Sequence, residues 1–493
     1  MSSREFPLPP ARGPTLMQRL RSAFPQRTVP SVRFAGQLLR LLTDVARCSA
    51  KEWASAVGTL PTLTRPLRLA LPCAGVDGAG HALRAMGIPA EPTHLYDLRE
   101  HLRPALLRLY GEGAAGRLHL GSAAGNILEL DPSKMAPVDG IIAGPPCPPW
   151  SSIGLRQGQD DGRAAVFNHV VEMIIELGRR GALFFILENV PGLLHRTGSA
   201  SRAQGAGHPA PAQTGSRPAP ARTGSRPATA RAAAGAEGTE PSFVDYILEE
   251  FAARAPVWKI HIWRLNACHF GLPQHRERVF LVGINQHLVP ESHLLPPQGL
   301  GPPTPLASFL SSALAPQAQL SSLTPNLRWN LVHYQQLLRA HLERGNGWAA
   351  VSLDRNPARS FGGYTRVDGL APALRTQNQY LWVMRLGQGL APETARLLHP
   401  MERWSLQGFP PSAGLGMTKT QVLEATGNAF PVPVLGAVLA QVLRAVADAM
   451  SSPRPPRSLR WEPPNQPRRA KRRAPAHLLQ PPGPQRRRSR CLD

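Results

Sequence analysis

The residues best suited by type and spacing to do chemistry are one cysteine, one glutamate and two arginines, each beside a short apolar run. Cys147 sits in Gly144-Pro145-Pro146-Cys147-Pro148-Pro149-Trp150-Ser151, directly after Gly140–Ala143. Prolines on both sides stiffen the loop and remove amide donors, so the thiol is presented rigidly. A thiolate is a nucleophile when its surroundings lower its pKa or supply a base; an inert buried side chain is the other reading of a lone cysteine. Glu188, in Leu187-Glu188-Asn189-Val190-Pro191, closes the apolar run Leu183–Leu187. A carboxyl group there can sit in a cleft with a raised pKa, as an acid or a partner for the edge of a heterocycle, or it can be a solvated strand end. Gln274-His275-Arg276-Glu277-Arg278 leads into Val279–Gly283. Strand alternation puts Gln274, Arg276 and Arg278 on one face and His275 and Glu277 on the other. Two aligned guanidinium groups suit a phosphate or a base carbonyl, and a salt-bridged strand end is the structural alternative.

A further motif is the loop Cys73-Ala74-Gly75-Val76-Asp77-Gly78-Ala79-Gly80 after the apolar Leu67–Leu71. Glycines there permit a tight turn and close approach of a ligand to a helix N-terminus. An acid about 20 residues further on, at the end of the next strand, binds ribose hydroxyls in such folds, and Asp97 in His94-Leu95-Tyr96-Asp97 fits that place.

The elements that must position these residues read as α/β. Runs at Leu67–Leu71, Gly140–Ala143, Leu183–Leu187 and Val279–Gly283 have the length and content of buried strands. Helical spacing separates them at Phe167–Gly178 and Phe243–Ala253. That alternation predicts a largely parallel sheet with helices on both faces and active residues at the carboxyl ends of the strands. A small helix is expected within Phe34–Val57, and Gln421–Met450 reads as a loop followed by a helix from near Pro433.

The net charge of +24 lies mainly in three stretches: residues 1–66 carry +7, 195–240 carry +4 and 451–493 carry +10. The remaining body is nearly neutral, so the basic flanks suggest a polyanion, nucleic acid first, or simply soluble tails. The near-repeat QTGSRPAPA–RTGSRPATA within 195–240 cannot build a core and reads as a disordered loop insertion. Cys48, Cys73, Cys147, Cys268 and Cys491 are scattered and form no C-x-x-C pair, which argues against a disulfide framework or a zinc site. No apolar run is read as a membrane span. The Arg-rich, acid-poor first 40 residues are compatible with an organelle address. The basic clusters at 468–473 and 485–490 suggest nuclear import, a phosphate-binding arm or both. The expected organisation is a basic extension over 1–66, a first catalytic part over 67–285, a smaller lobe over 286–375, a returning catalytic part over 376–450 and a basic disordered tail over 451–493.

In their order, these motifs resemble the DNA cytosine-5 methyltransferase family across most of residues 67–450. The resemblance runs from the loop Leu71–Gly80 through Gly125-Asn126-Ile127, Pro146-Cys147, Glu188-Asn189-Val190 and Gln274-x-Arg276-x-Arg278. It continues through Arg396-x₅-Glu402-x₃-Leu406-Gln407-Gly408-Phe409-Pro410 and ends with Gly427-Asn428-Ala429-Phe430-Pro431-Val432-Pro433. It implies a Rossmann-like class I methyltransferase domain, with a mixed, mostly parallel sheet, plus a smaller target-recognition domain and basic extensions. It also implies S-adenosylmethionine as cofactor, no metal, duplex DNA as partner and a cytosine flipped from the stack. By resemblance, the Cys147 thiolate adds to C6, Glu188 hydrogen-bonds N3 and N4, Arg276 contacts O2, and Arg278 supports the pocket or a phosphate. Ala74, Gly75, Gly78, Asp97, Asn126, Ile127, Pro146, Asn428 and Ala429 would hold the cofactor; Ser151, Asn189, Gln274 and Gln407 would serve the substrate.

The chain departs from the family pattern at the cofactor loop. The family usually has an acid where Leu71 stands, an adenine-packing aromatic at Cys73, and glycine at Asp77. Asp77 is therefore expected to bring a β-carbon and a negative charge into the loop. Asn126 replaces a frequent Asp, and its carbonyl can still accept a hydrogen bond from the adenine amino group. Pro148 stands where Gln or Asn is common. Two alternatives remain open: an RNA (tRNA) cytosine-5 methyltransferase of the same family, and a catalytically inactive scaffold that binds nucleic acid.

Overall fold

The computed structural model describes residues 51–146, 164–194, 242–289, 294–310, 323–340, 347–357, 365–377, 380–386 and 395–451. Cys147, Pro148, Ser151, the insertion read at 195–240, the tail after 451 and all but the end of the helix expected within Phe34–Val57 lie outside the described residues.

The first part of the chain runs α1 (Lys51–Ala56), β1 (Leu67–Pro72), α2 (Gly78–Ala85), β2 (Ala90–Asp97), α3 (Arg103–Tyr110), β3 (Leu118–Leu120) and β4 (Gly140–Ala143). It continues with α4 (Ala164–Arg179), β5 (Phe184–Asn189), α5 (Phe243–Arg254), β6 (Trp258–Asn266), β7 (Gln274–His275) and β8 (Glu277–Asn285). Seven of these strands form one sheet in the order β3-β2-β1-β4-β5-β8-β6. Its neighbours pair in parallel from β3 to β5, and β8 runs antiparallel between β5 and β6. This is the Rossmann-like architecture expected from the alternation of elements. β4 and β5 are buried along their whole length, which explains why their sequences are continuous apolar runs rather than alternating ones.

A core lies on each face of the sheet. One holds Leu69, Leu71, Phe184 and Ile186 with α1, α2 and the last helix. The other holds Ile141, Phe185, Leu187 and Leu281 with α4 and α5.

The second lobe contains α6 (Pro325–Leu337), β9 (Trp348–Ser352), β10 (Thr365–Arg366), β11 (Ala371–Pro372), β12 (Leu381–Arg385) and β13 (Ala395–Leu397). Its sheet has the order β10-β9-β12-β13 and is antiparallel. The lobe therefore runs past residue 375, where the sequence reading ended it. β12 and β13 complete its sheet, and Trp382 and Met384 belong to its own core with Leu331 and Tyr334 of α6. β12 carries an apolar run no different from those of the main sheet and β13 is only three residues long, so composition could not assign them. β11 pairs with β7 in parallel and ties this lobe to the catalytic body.

The chain then returns through α7 (Pro400–Leu406), α8 (Lys419–Asn428) and α9 (Val432–Ser451). α8 corrects the loop expected there. Its N-terminus is a capping box between Thr418 and Gln421, the S/T-x-x-E/Q signature that was legible in the sequence. The stretch Lys419–Met450 is also apolar enough to span a membrane by composition, contrary to the sequence reading, but 83% of its most apolar window is buried inside the protein. α9 is the central core helix, and its Gly436 makes room for Trp53 of α1, whose ring occupies the place of a β-carbon.

Close packing of this kind gives a direct test. A methyl group at Gly140 in β4 would stand 2.1 Å from Phe184 Cζ on β5. Gly140→Ala is expected to destabilise the protein by about 1–3 kcal/mol, the usual cost of overpacking a core. Denaturant unfolding checks this, and an unchanged midpoint contradicts the packing.

Candidate active site

In a doubly wound sheet the ligand crevice opens where the strand order reverses. Here that point lies between β1 and β4, neighbours in space with crossovers leaving in opposite directions. The glycine loop leaves the carboxyl end of β1, and the Gly144-Pro145-Pro146 segment leading to Cys147 leaves the end of β4. The two loops singled out by sequence therefore flank the crevice.

On the β1 side, Gly75 takes a φ of 57°, a region that favours glycine. Its amide donates to Asp97 Oδ2 at 2.9 Å. Asp97 ends β2 and is buried; its Oδ1 also accepts from the Arg99 amide and from Arg99 Nη1, both at 3.0 Å. A carboxylate offers about four lone-pair sites, so room for a ribose hydroxyl remains. Arg99 Nε in turn donates to Glu424 Oε1 of α8 at 2.6 Å, which links the cofactor side to the returning part of the chain. A β-carbon on Gly125 would fall on the Asp97 carbonyl, so the exit of β3 packs tightly against the end of β2. Asn126 and Ile127 follow, with Ile127 buried. Asn126 Oδ1 accepts from the Leu128 amide at 3.2 Å, and its Nδ2 donates to Glu129 Oε1 at 2.8 Å. Leu98, beside Asp97, is 58% exposed and offers an apolar surface next to the acid. The sequence reading did not single it out, although its position directly after Asp97 was the available signal. An acid, an amide and apolar side chains at adjoining strand ends fit an adenosine-type cofactor. Ala74 and Gly78 are buried in the same loop; Asn428 is exposed at the end of α8, and Ala429 is buried behind it.

Asp77 does not place a charge in the crevice, contrary to the sequence expectation. It caps α2 from a left-handed conformation, φ 55°, with Oδ1 accepting from the Gly80 amide at 2.9 Å. Its Oδ2 accepts a short hydrogen bond from the Tyr110 hydroxyl. Burial pushes the Asp77 carboxyl above its ordinary pKa against these hydrogen bonds. Asp is one of the few residues that tolerates this backbone region. The thiol of Cys73, at φ 56°, is pushed up to about 12, first by burial and then by Asp97, which disfavours the thiolate.

On the β5 side, Glu188 is 5% exposed. It lies opposite Phe280 on antiparallel β8, so Arg278, two residues along, falls on the same face. Arg278 Nε stands 3.0 Å from Glu188 Oε1. Burial raises the Glu188 pKa and outweighs the opposing pull of Arg278 and Arg276. The group is therefore a carboxyl able to carry a proton in a desolvated site.

The structure assigns the two arginines differently from the sequence reading. Arg276 is buried, with Nη1 donating to the Leu374 carbonyl at 2.7 Å and Nη2 to the carbonyls of Gly427 at 3.1 Å and Ala429 at 2.9 Å. Its guanidinium joins the second lobe to the returning chain. Arg278 is the arginine that meets Glu188. Gln274 and Gln407, expected at the substrate, are also interior pins. Gln274 accepts from the Leu374 amide at 3.0 Å and donates to the Leu406 carbonyl at 2.7 Å. Gln407 donates to the Thr426 carbonyl at 2.6 Å. Asn189 is fully buried and holds the Pro145 carbonyl at 3.4 Å, so it braces the nucleophile loop instead of reaching a substrate. Pro146, half-buried, is the last described residue of that loop.

Comparison with known proteins finds similarity to cytosine methylases. A family profile described as C-5 cytosine-specific DNA methylase matches residues 117–203 and 243–444, more than half of the chain. The type II methyltransferase M.DsaV of Dactylococcopsis salina is 25% identical over 323 residues, 65% of this chain and 72% of that protein. The type II methyltransferase M.SsoII of Shigella sonnei is 22% identical over 320 residues, 65% of this chain and 67% of that one. The solved structure of the S. pombe Dnmt2 methyltransferase is 12% identical, covers 77% of this chain and 99% of its own, and gives a TM-score of 0.45.

The division of labour between the arginines is testable. Arg276→Ala leaves buried carbonyls without their donor and is expected to cost about 3 kcal/mol or more, since each unsatisfied buried group costs about 1–3 kcal/mol. Arg278→Ala is expected to cost less than Arg276→Ala, because it ends one contact with a carboxyl that can take up a proton, while pushing the Glu188 pKa higher still. Denaturant unfolding of both variants decides it; equal destabilisation contradicts the division.

Proposed function

Because the chain belongs to the C-5 cytosine-specific DNA methylase family, we propose that it moves a methyl group from S-adenosylmethionine to C5 of cytosine in duplex DNA, through a covalent bond between Cys147 and C6 of a flipped base. The observation that carries this reading is Glu188, a buried carboxyl of raised pKa touched by Arg278 at the sheet's active edge. Its neighbour Asn189 braces the loop that leads to Cys147.

Cytosine C5 is a weak nucleophile while the ring is aromatic. Addition of the Cys147 thiolate to C6 breaks the C5–C6 double bond and drives its electron pair toward N3 and O2. Glu188, in its protonated form, donates to N3, while its carbonyl oxygen accepts from the N4 amino group, offsetting the charge that develops. Arg278, rather than Arg276, would meet O2 alongside Glu188, a reading supported by its contact with that carboxyl group. S-adenosylmethionine, when bound, supplies the electrophilic methyl carbon that C5 attacks. Loss of the C5 proton to a base and departure of the thiolate restore the ring. Asp97, Leu98, Asn126 and Ile127 would hold the adenosine portion, and the glycine loop the amino-acid portion. A base buried in a duplex reaches such a pocket only by leaving the stack. The basic clusters at 468–473 and 485–490 support a phosphate-binding or nuclear-import role for the tail.

Bisulfite sequencing of a plasmid incubated with purified protein and S-adenosylmethionine is expected to show converted-resistant cytosines in a fixed context. Cys147→Ala is expected to abolish them while leaving DNA retention in a gel-shift assay largely intact; turnover at the wild-type rate in that variant refutes the nucleophile. For Glu188 the pH dependence has a definite sign. The active form is protonated and its pKa is raised, so the rate falls as pH rises through that value. Glu188→Gln cannot titrate, and is expected to remove that limb and lose roughly 10²–10⁴-fold in rate, the usual contribution of a positioned acid. A wild-type pH profile in the variant contradicts the role.

A further inference from the structure

Gly78 at the start of α2 and Gly144 at the exit of β4 are absent from the residues of positive φ. Their backbones are open to any residue, so conformation does not demand glycine at either place. What limits a side chain is space, and Phe430 fills it at both: tightly at Gly144, where the ring itself stands in the way, and by a few tenths of an ångström at Gly78, where its Cβ is the near atom. A β-carbon on Gly78 would stand 3.1 Å from Phe430 Cβ and 3.4 Å from Phe430 Cδ2. A β-carbon on Gly144 would stand 2.8 Å from Phe430 Cζ and 3.2 Å from Phe430 Cε1. The near end of the phenyl group therefore rests on the cofactor-side loop, and its far end rests on the loop that continues to Cys147. The ring sits at the sheet's switch point, where the two loops diverge. It is buried, and the turn that carries it is anchored on both sides. Arg276 Nη2 binds the carbonyls of Gly427 and Ala429, and the Val432 amide donates to the Gln407 carbonyl at 2.8 Å.

We infer that Phe430 is a positioning residue for methyl transfer, a rigid spacer that fixes the separation between the loop for S-adenosylmethionine and the loop bearing the nucleophile. The inference rests on the methyltransferase reading. A phenyl ring has no internal torsion between its two contacts, so the spacing it imposes is stiff. A misplacement of about 1 Å between reacting groups can cost about 10²-fold in rate. A mere core filler would lower stability and slow every step alike. A spacer slows the step that needs both loops in register far more than the step that needs only one.

The chemistry separates those steps. Thiolate addition at C6 needs the nucleophile loop alone and makes C5 basic. C5 then takes a deuteron from heavy water and releases its own proton, and the thiolate leaves with the ring restored. Exchange at C5 thus reports addition, and methylation reports register. In Phe430→Ala and Phe430→Leu of the full chain, methylation is expected to fall about 10–100-fold, with C5 exchange falling no more than about threefold. Calorimetric affinity for S-adenosylmethionine is expected to weaken by less than about tenfold, as fits a residue that spaces the loop rather than forming the whole site. Gly144→Ala pushes a methyl group against the ring and is expected to lower methylation on its own. The shorter side chain of the Gly144→Ala, Phe430→Leu double variant restores part of the loss, a size-swap that also decides the question if Phe430→Ala does not fold. Parallel loss of exchange and methylation, unchanged rates in the Phe430 variants, or a double variant no better than Gly144→Ala overturns the spacer. A wild-type protein that neither binds S-adenosylmethionine nor exchanges C5 protons overturns the methyltransferase reading itself, and the spacer with it.

Discussion

One buried guanidinium holds the catalytic body closed. The chain leaves that body after β8, builds a second lobe, and returns at α7, so the sheet and its last helices are joined across a long excursion. Apolar packing of α9 supplies most of the adhesion, but it is non-directional and cannot by itself fix how the returning turn meets the sheet. Arg276 supplies the direction, with bonds to Leu374 at the lobe's edge and to Gly427 and Ala429 in the return. Gln274 and Gln407 add a second row, from the Leu374 amide through the Leu406 and Thr426 carbonyls. Arg403 adds a third, with Nε on Thr426 Oγ1 and Nη2 on the Arg375 carbonyl; burial lowers its pKa to about 10. A planar fork holds its donors on separate atoms in fixed directions and can bind well-separated carbonyls at once, whereas the three donors of a lysine radiate from one freely rotating atom. Gly427 completes the joint, since a β-carbon there would meet the Arg375 carbonyl carbon at 2.5 Å.

The same residue types do different work in two buried pairs, and geometry separates them. Arg396 and Glu402 meet through two bonds, 2.8 and 2.7 Å, and Glu402 also accepts from the His399 amide. That carboxylate is consumed by structure and fixes the start of α7. Glu188 and Arg278 touch at one point, 3.0 Å. Two neighbouring arginines pull the Glu188 pKa down, yet burial wins and the net shift is upward. A one-point contact leaves oxygen lone pairs and a proton for a substrate, as a bidentate pair would not. Asn189, next in the strand, faces the other way and braces Pro145. Strand alternation thus gives one short motif an acid on the crevice side and a strut on the other.

Much of this was legible in the sequence. The apolar runs of β1, β4, β5 and β8 mark buried strands because both faces of the sheet are covered, and Asp97 stands at the strand end that its spacing from the glycine loop required. What was not legible depends on contacts between residues distant in sequence. Whether Arg276 or Arg278 meets Glu188 is set by the register of β5 against β8. The interior role of Gln274 depends on bonds reaching across 100 residues and more, and that of Gln407 on a bond to the Thr426 carbonyl in the next helix. The extent of the second lobe depends on which sheet β12 and β13 join. The capping box that starts α8 was, by contrast, a local signal, and it outweighs the weak helical periodicity of Lys419–Asn428.

The glycine loop shows how a chain can change its residues and keep its geometry. Asp at position 77 costs backbone strain and a buried carboxyl group, yet the side chain turns inward to the Gly80 amide and the Tyr110 hydroxyl. It thereby ties the start of α2 to the end of α3, a constraint that glycine lacks. Cys73 brings no ring to the β1 side of the crevice. The phenyl group at this end of the sheet comes instead from Phe430, nearly 360 residues away in the chain, entering from the return turn. The loop is therefore held from behind by Asp77 and from the β4 side by Phe430, and both supports act on the backbone rather than on a ligand. Order in the loop depends on the distant joint at Arg276, because that joint sets where the Phe430 turn lies. Stability of the return and geometry of the crevice are in this way the same physical question.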